Sequence, residues 1–241
     1  MVAPSDKRSG LIACRHPSSS FWQLGPQPPG EGCLILIGFG ASSALLDDDD
    51  RLTLRATAFL QGLTGTGRLT FPVSTFEKEA CGDWTPVGVG GDQVVRLAPA
   101  SVSFRRLLTS AWHGRSGIVL LSTDDATSAR RMFDDASFSW DMQTQFALIS
   151  PRDQGPPAVP SYEVATQLFE PTWAGALSHL AGVDAILRPG VDGDLVGILS
   201  RTESIEADIV DAVMQAASAS SLGFALIGEN EFADRLALEE S

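Results

Sequence analysis

The sequence predicts an α/β protein, a mixed sheet with flanking helices in two subdomains that each contain a strand–helix–strand unit, alike either by duplication or by convergence on strand-forming residues. Three observations carry this reading. Runs such as Cys33-Leu34-Ile35-Leu36-Ile37 are apolar without alternation, as strands covered on both faces are. Helix-length segments alternate with these runs along the chain, which is the order of an α/β fold. A block pattern also recurs. Leu121-Ser122 precedes Phe146-Ala147-Leu148-Ile149 at the spacing that separates Leu199-Ser200 from Phe224-Ala225-Leu226-Ile227, an offset of 78 positions in both cases (199 − 121 and 224 − 146).

Residues 1–32 are rich in Pro, Ser and Gly, with Pro26, Pro28 and Pro29 close together, and predict a flexible or extended arm on a globular body. The first strand is expected at Cys33. Asp47 to Asp50 then precede a helix over 51–63, where carboxylates complement the positive end of the helix dipole. Gly65 and Gly67 are expected to break the chain before a strand at 69–73. A glycine-rich stretch over 80–91, holding Trp84 and Pro86, reads as irregular.

Strands are expected at 93–97, 117–121 and 145–149, with helices at 101–112, where Ser101 can serve as N-cap, and at 126–135. Pro151, Pro156, Pro157 and Pro160 mark a linker over 151–161, because proline continues neither a helix nor a central strand. It divides an α/β subdomain over 33–150 from a smaller one over 162–241. The second subdomain reads as a helix over 162–180, strands at 184–187 and 195–199, a long helix over 204–218 and a strand at 224–227.

Composition removes several function classes. The net charge is −13, with 30 acidic against 17 basic residues, so a general nucleic-acid binder or an anionic-lipid docker is not expected. Lys7 and Lys78 are the only lysines and neither follows a glycine, which removes the P-loop NTPases. Cys14, Cys33 and Cys81 form no CxxC, and His16, His113 and His179 form no close pair. Neither a zinc box nor a disulfide scaffold is expected, and the sparse cysteines suit a reducing compartment. Leu11-Ile12-Ala13-Cys14 has the letters of a lipoprotein cleavage box but too short an apolar stretch before it. The longest charge-free apolar run, Cys33 to Leu46, falls short of a membrane span, so the expected location is cytoplasmic.

The candidate sites each compete with a plainer role. Gly38-Phe39-Gly40 resembles the opening of a dinucleotide loop, yet Ser43 occupies the third glycine position and no acidic residue follows the next strand. His113 and Arg115 could bind an anion, while His113-Gly114 also reads as a helix stop. His179 reads as another histidine near a helix end. Asp192-Gly193-Asp194 offers carboxylates for a hard cation but fits a hairpin turn more simply. Gly40-Ala41-Ser42 does not complete a nucleophile elbow, because Ala44 stands where glycine is required. Asp124-Asp125 and Asp134-Asp135 read as caps and solvated faces.

The resulting expectation is a non-enzymatic acidic binding protein: an adaptor, assembly factor or inhibitor of a partner protein, without cofactor or metal. Its partner surface is expected at Trp84 and at Asp47, Asp48, Asp49 and Asp50, facing a basic partner, with homo-oligomers also compatible. The alternative is an enzyme or sensor for a nucleotide or other small anionic ligand. It would use Gly38, Gly40 and Ser42 as the cradle, with His113 and Arg115 as polar groups.

Overall fold

The structure, a computed structural model, describes residues 10–17, 32–39, 54–74, 93–97, 118–135, 146–153, 164, 165, 168, 177–190 and 195–237. In chain order the elements are β1 (Leu11–Arg15), β2 (Cys33–Gly38), α1 (Leu54–Thr66), β3 (Arg68–Ser74), β4 (Gln93–Leu97), β5 (Ile118–Thr123), α2 (Ala126–Asp135) and β6 (Ala147–Ser150). They continue with β7 (Ala185–Pro189), β8 (Leu195–Ser200), α3 (Glu203–Ala219), β9 (Phe224–Leu226) and α4 (Glu229–Ala237). The nine strands form one sheet in the order β4-β5-β3-β6-β7-β8-β2-β1-β9. Among the described residues only β1 and β9 pair in parallel, so the sheet is mixed, as the sequence predicts.

Alternate residues of the central strands feed two separate cores. Leu11, Ala13, Ile35, Ile37, Val196 and Ile198 face one side, against Phe59 and Leu63 of α1, Ala129 of α2 and Val213 of α3. Ile12, Cys14, Leu34, Leu36 and Leu199 face the other, against Leu168, Leu177 and the α4 residues Phe232 and Leu236. A sheet buried on both sides explains why the strands read as unbroken apolar runs.

Within the segment read as an arm, Leu11–Arg15 is a strand. Its first four residues are buried, and it lies between β2 and β9. Its stability comes from partners 20 and more residues away, which local composition does not report. Similarly, α1 runs past Gly65 to Thr66, where the Thr64 and Thr66 hydroxyls donate to the carbonyls of Leu60 and Leu63. At the far end of the expected helix over 162–180, Leu177 to His179 form a turn.

Strands from both sides of the 151–161 prolines share the sheet, since β6 pairs with β7 and β2 with β8. The two strand–helix–strand units are both present, with α2 and α3 on the same face. They differ in pairing: one strand, β3, separates β5 from β6, whereas β2 and β1 separate β8 from β9. The β7–β8 connection behaves as a hairpin, its neck closed by Gly190 N–H donating to the Leu195 carbonyl at 2.9 Å.

Candidate functional site

Gly38 ends β2, and packing accounts for it. A Cβ there would stand 2.8 Å from Ile12 Cγ1 and 3.0 Å from Phe232 Cζ. Phe39 follows, fully buried, with its ring edge-on to Phe59 at 5.2 Å and 85°. Arg55 donates to the Phe39 carbonyl. A dinucleotide loop instead joins a strand flanked by parallel neighbours to an immediately following helix. Here β2 is antiparallel to both β1 and β8. Gly40, Ser42, Trp84, Asp47, Asp48, Asp49, Asp50, His113 and Arg115, with the turn aspartates Asp192 and Asp194, lie outside the described residues. Of the predicted site residues the structure therefore places only Gly38. His179, also described, is exposed on its turn.

At the other end of β2 the fold gathers polar side chains that the sequence did not single out. Strand alternation puts Arg15, Cys33 and Ser200 on the face covered by α3. From the first turn of α3, Glu206 points inward; its side chain is 3% exposed and meets Arg15, with Nε 2.7 Å from Oε1. Burial raises the Glu206 pKa; Arg15 and His16 oppose this, and Glu203 adds to it. Cys33 pairs with Ser200 across the strands, and burial, then Glu206 and Glu203, push its thiol up. A reactive cysteine requires the opposite environment, one that favours thiolate. This cluster therefore holds a neutral thiol and a paired carboxylate rather than an activated nucleophile. Chemically it fastens β1 to α3.

A second polar group sits between β5 and α2. Asp125 caps α2, its Oδ2 accepting from Ser128 N–H at 2.7 Å, and its own N–H donates to Thr123 Oγ1 at 3.0 Å. Arg68 lies 3.8 Å from Asp124 Oδ2. Arg152 donates to the Thr64 carbonyl and, at 3.2 Å, to that of Asp124. These contacts tie the end of α1 to the start of α2. On the opposite face of the sheet Thr70 and Ser122, partners across β3 and β5, share a buried hydroxyl–hydroxyl bond of 2.8 Å.

Two further ionisable groups are deep in the core on the α4 side. Arg188 is 1% exposed opposite Gly197, where the missing side chain leaves room for it, and burial lowers its pKa to about 10. Arg188 is engaged rather than orphaned. Burial, then Glu229, raises the Cys14 thiol to about 11, leaving it neutral at physiological pH. Among the described residues no group of three His, Cys, Asp or Glu could hold a metal ion. None of the described helices is long and apolar enough to cross a membrane.

The third feature is the β9 edge. Residues 203–237 carry seven acidic side chains, Glu203, Glu206, Asp208, Asp211, Glu229, Glu231 and Asp234, against one basic, Arg235. All but the buried Glu206 and the half-buried Glu229 are exposed. They ride on α3 and α4, which cover opposite faces of the sheet beside β9 and β1. Leu226 of β9 stands 50% exposed, on the face of the sheet that Phe224 and α3 share.

Set against known proteins, the chain matches no family model, no curated protein and no solved structure.

Proposed function

We propose that this chain is a non-catalytic binding protein, an adaptor, assembly factor or inhibitor that engages a basic partner protein. The observation that carries the reading is the concentration of exposed carboxylates on α3 and α4 around the end of the sheet. A field of one sign on a surface speeds encounter with a partner of the opposite sign and selects against like-charged ones. The roles of the described polar side chains agree with it. Arg15, Arg55, Arg152 and Arg201 are bonded to carboxylates or backbone carbonyls of the fold itself.

The test is a thermal-shift panel of nucleotides and phosphorylated metabolites. A ligand at 100 times its Kd stabilises by about 2.7 kcal/mol. The reading expects no member of the panel to raise the melting temperature. A clear, saturable shift by one of them would overturn it in favour of an anionic-ligand enzyme or sensor.

A further inference from the structure

We infer that β9 is a docking edge that accepts an extended, lysine- or arginine-bearing segment of a partner as an added strand. The inference rests on the binding-protein reading and names the place and the chemistry of the partner.

Backbone geometry opens the edge. Gly223 O accepts from Leu11 N–H and Ile227 N–H donates to Ala13 O, both at 2.9 Å. In a parallel ladder, alternate residues of a strand bond to the same neighbour. Residues 223, 225 and 227 therefore face β1, and Phe224 and Leu226 turn their N–H and C=O groups outward. β9 ends the strand order, so among the described residues no strand meets those groups. Natural sheets protect such edges with charge, proline, a cover or a short strand, and β9, at three residues, has only the last of these in its own sequence. Here the edge residues are Phe224, Ala225 and Leu226, with Leu226 half in solvent.

Charge selects the occupant. A strand added to β9 would extend the sheet at the end flanked by α3 and α4, whose exposed acids include Asp208, Asp211, Glu231 and Asp234. Of these, Glu231 is already bridged to Arg235 at 2.7 Å. A second copy of this chain would bring the same acidic helices against each other, which opposes self-pairing. A basic extended segment meets both requirements. Its main chain supplies the ladder bonds, and its alternate side chains reach an apolar contact at Leu226 and carboxylates beyond it.

The probe is a synthetic peptide of four Lys-Val repeats, added to the isotope-labelled full chain and followed by amide NMR. The expected result is saturable shifts at the outward amides of Phe224 and Leu226, larger than at Ala225 and Ile227. A Glu-Val peptide should bind at least tenfold more weakly. Leu226→Pro removes an outward N–H without touching the β1 ladder and should abolish the shifts. Leu226→Lys, which keeps every backbone group, should weaken binding tenfold or more by like-charge repulsion. Shifts that avoid β9, or binding by either variant as tight as that of the unaltered chain, would overturn the edge. So would dimerisation of the chain through β9, which would make a second copy the occupant. The two readings separate cleanly. A cellular partner retained undiminished by both variants sinks the edge and leaves the binding-protein reading standing. A chain that carries no protein partner yet takes the peptide at β9 does the reverse.

Discussion

A side chain on Gly62 would collide with Val213: its Cβ would lie 2.6 Å from the Val213 Cα and 2.8 Å from the Val213 backbone nitrogen. Gly62 is thus the notch that lets α1 and α3 approach closely over the sheet. Gly65, one turn later, meets nothing nearer than Ala212 Cβ at 4.0 Å. In an exposed helix Gly→Ala gains about 1 kcal/mol of propensity. At Gly62 the backbone clash outweighs this, and Gly62→Ala should destabilise by about 1–3 kcal/mol. Gly65→Ala should be neutral or stabilising. Chemical denaturation of the two variants reads the contrast directly.

The Arg15–Glu206 pair anchors β1. Removing Arg15 leaves a carboxylate in the core without its cation. Fully buried pairs broken this way cost about 3–5 kcal/mol, but Arg15 is 40% exposed, so Arg15→Ala should cost about 2 kcal/mol. Glu206→Gln, which removes the charge and keeps the shape, should cost less. Hydrogen exchange should show the loss first at the amides of β1.

The pH dependence of Glu206 has a definite sign. Its pKa is raised in the folded protein, so the native state holds this proton more tightly than the unfolded chain. Its contribution to stability therefore improves as pH falls from neutral through the raised value toward the ordinary glutamate range. Glu206→Gln should flatten that part of a stability-against-pH curve.

Cys14 acts at the alkaline end. Its thiol ionises near 9.0 when unfolded and about 11 when folded, so stability is intact below pH 9 and falls between 9 and 11. The loss by pH 11 is about 2 kcal/mol from this group. Cys14→Ala has a lower baseline because of the cavity it leaves, but should lose about that much less over the same interval. Equal slopes for the two proteins would contradict the assignment.

Arg201 closes the turn that carries His179. Its Nε donates to the Val183 carbonyl at 3.0 Å, and its Nη2 to those of Leu177 and Leu180 at 3.0 and 2.7 Å. Lysine offers a point charge instead of a fork. Arg201→Lys should therefore speed amide exchange at Leu180 and Val183 by tenfold or more, with little change in the β2–β8 ladder.

The parts of this fold that were legible in the sequence are those whose signal is local. The 33–37 run, the 126–135 helix and the strands at 93–97 and 195–199 declare themselves by apolar runs or helical spacing. β1 did not, because four apolar residues among Pro and Ser become a strand only when β2, β9 and Glu206 hold them. α4 had no expectation at all: its helix is short, acidic and fixed by Phe232 and Leu236 beneath the sheet. The Arg15, Cys33, Ser200 and Glu206 cluster was hidden for the same reason, since it joins residues of β1 and β2 to residues of β8 and α3 more than 160 positions further along the chain. At Gly38 the letters suggested a phosphate loop, and Ile12 and Phe232 supply the reason for glycine that the letters cannot. The β9 edge was half visible. The acidic excess after residue 203 is plain, but only the strand order makes 224–226 a terminus of the sheet.

Native mass spectrometry of the untagged protein from its own cells tests the binding-protein claim most directly. The account predicts a species heavier than the 25.5 kDa chain by at least one whole protein. A species heavier by only a few hundred daltons would contradict it and identify a small-molecule ligand instead.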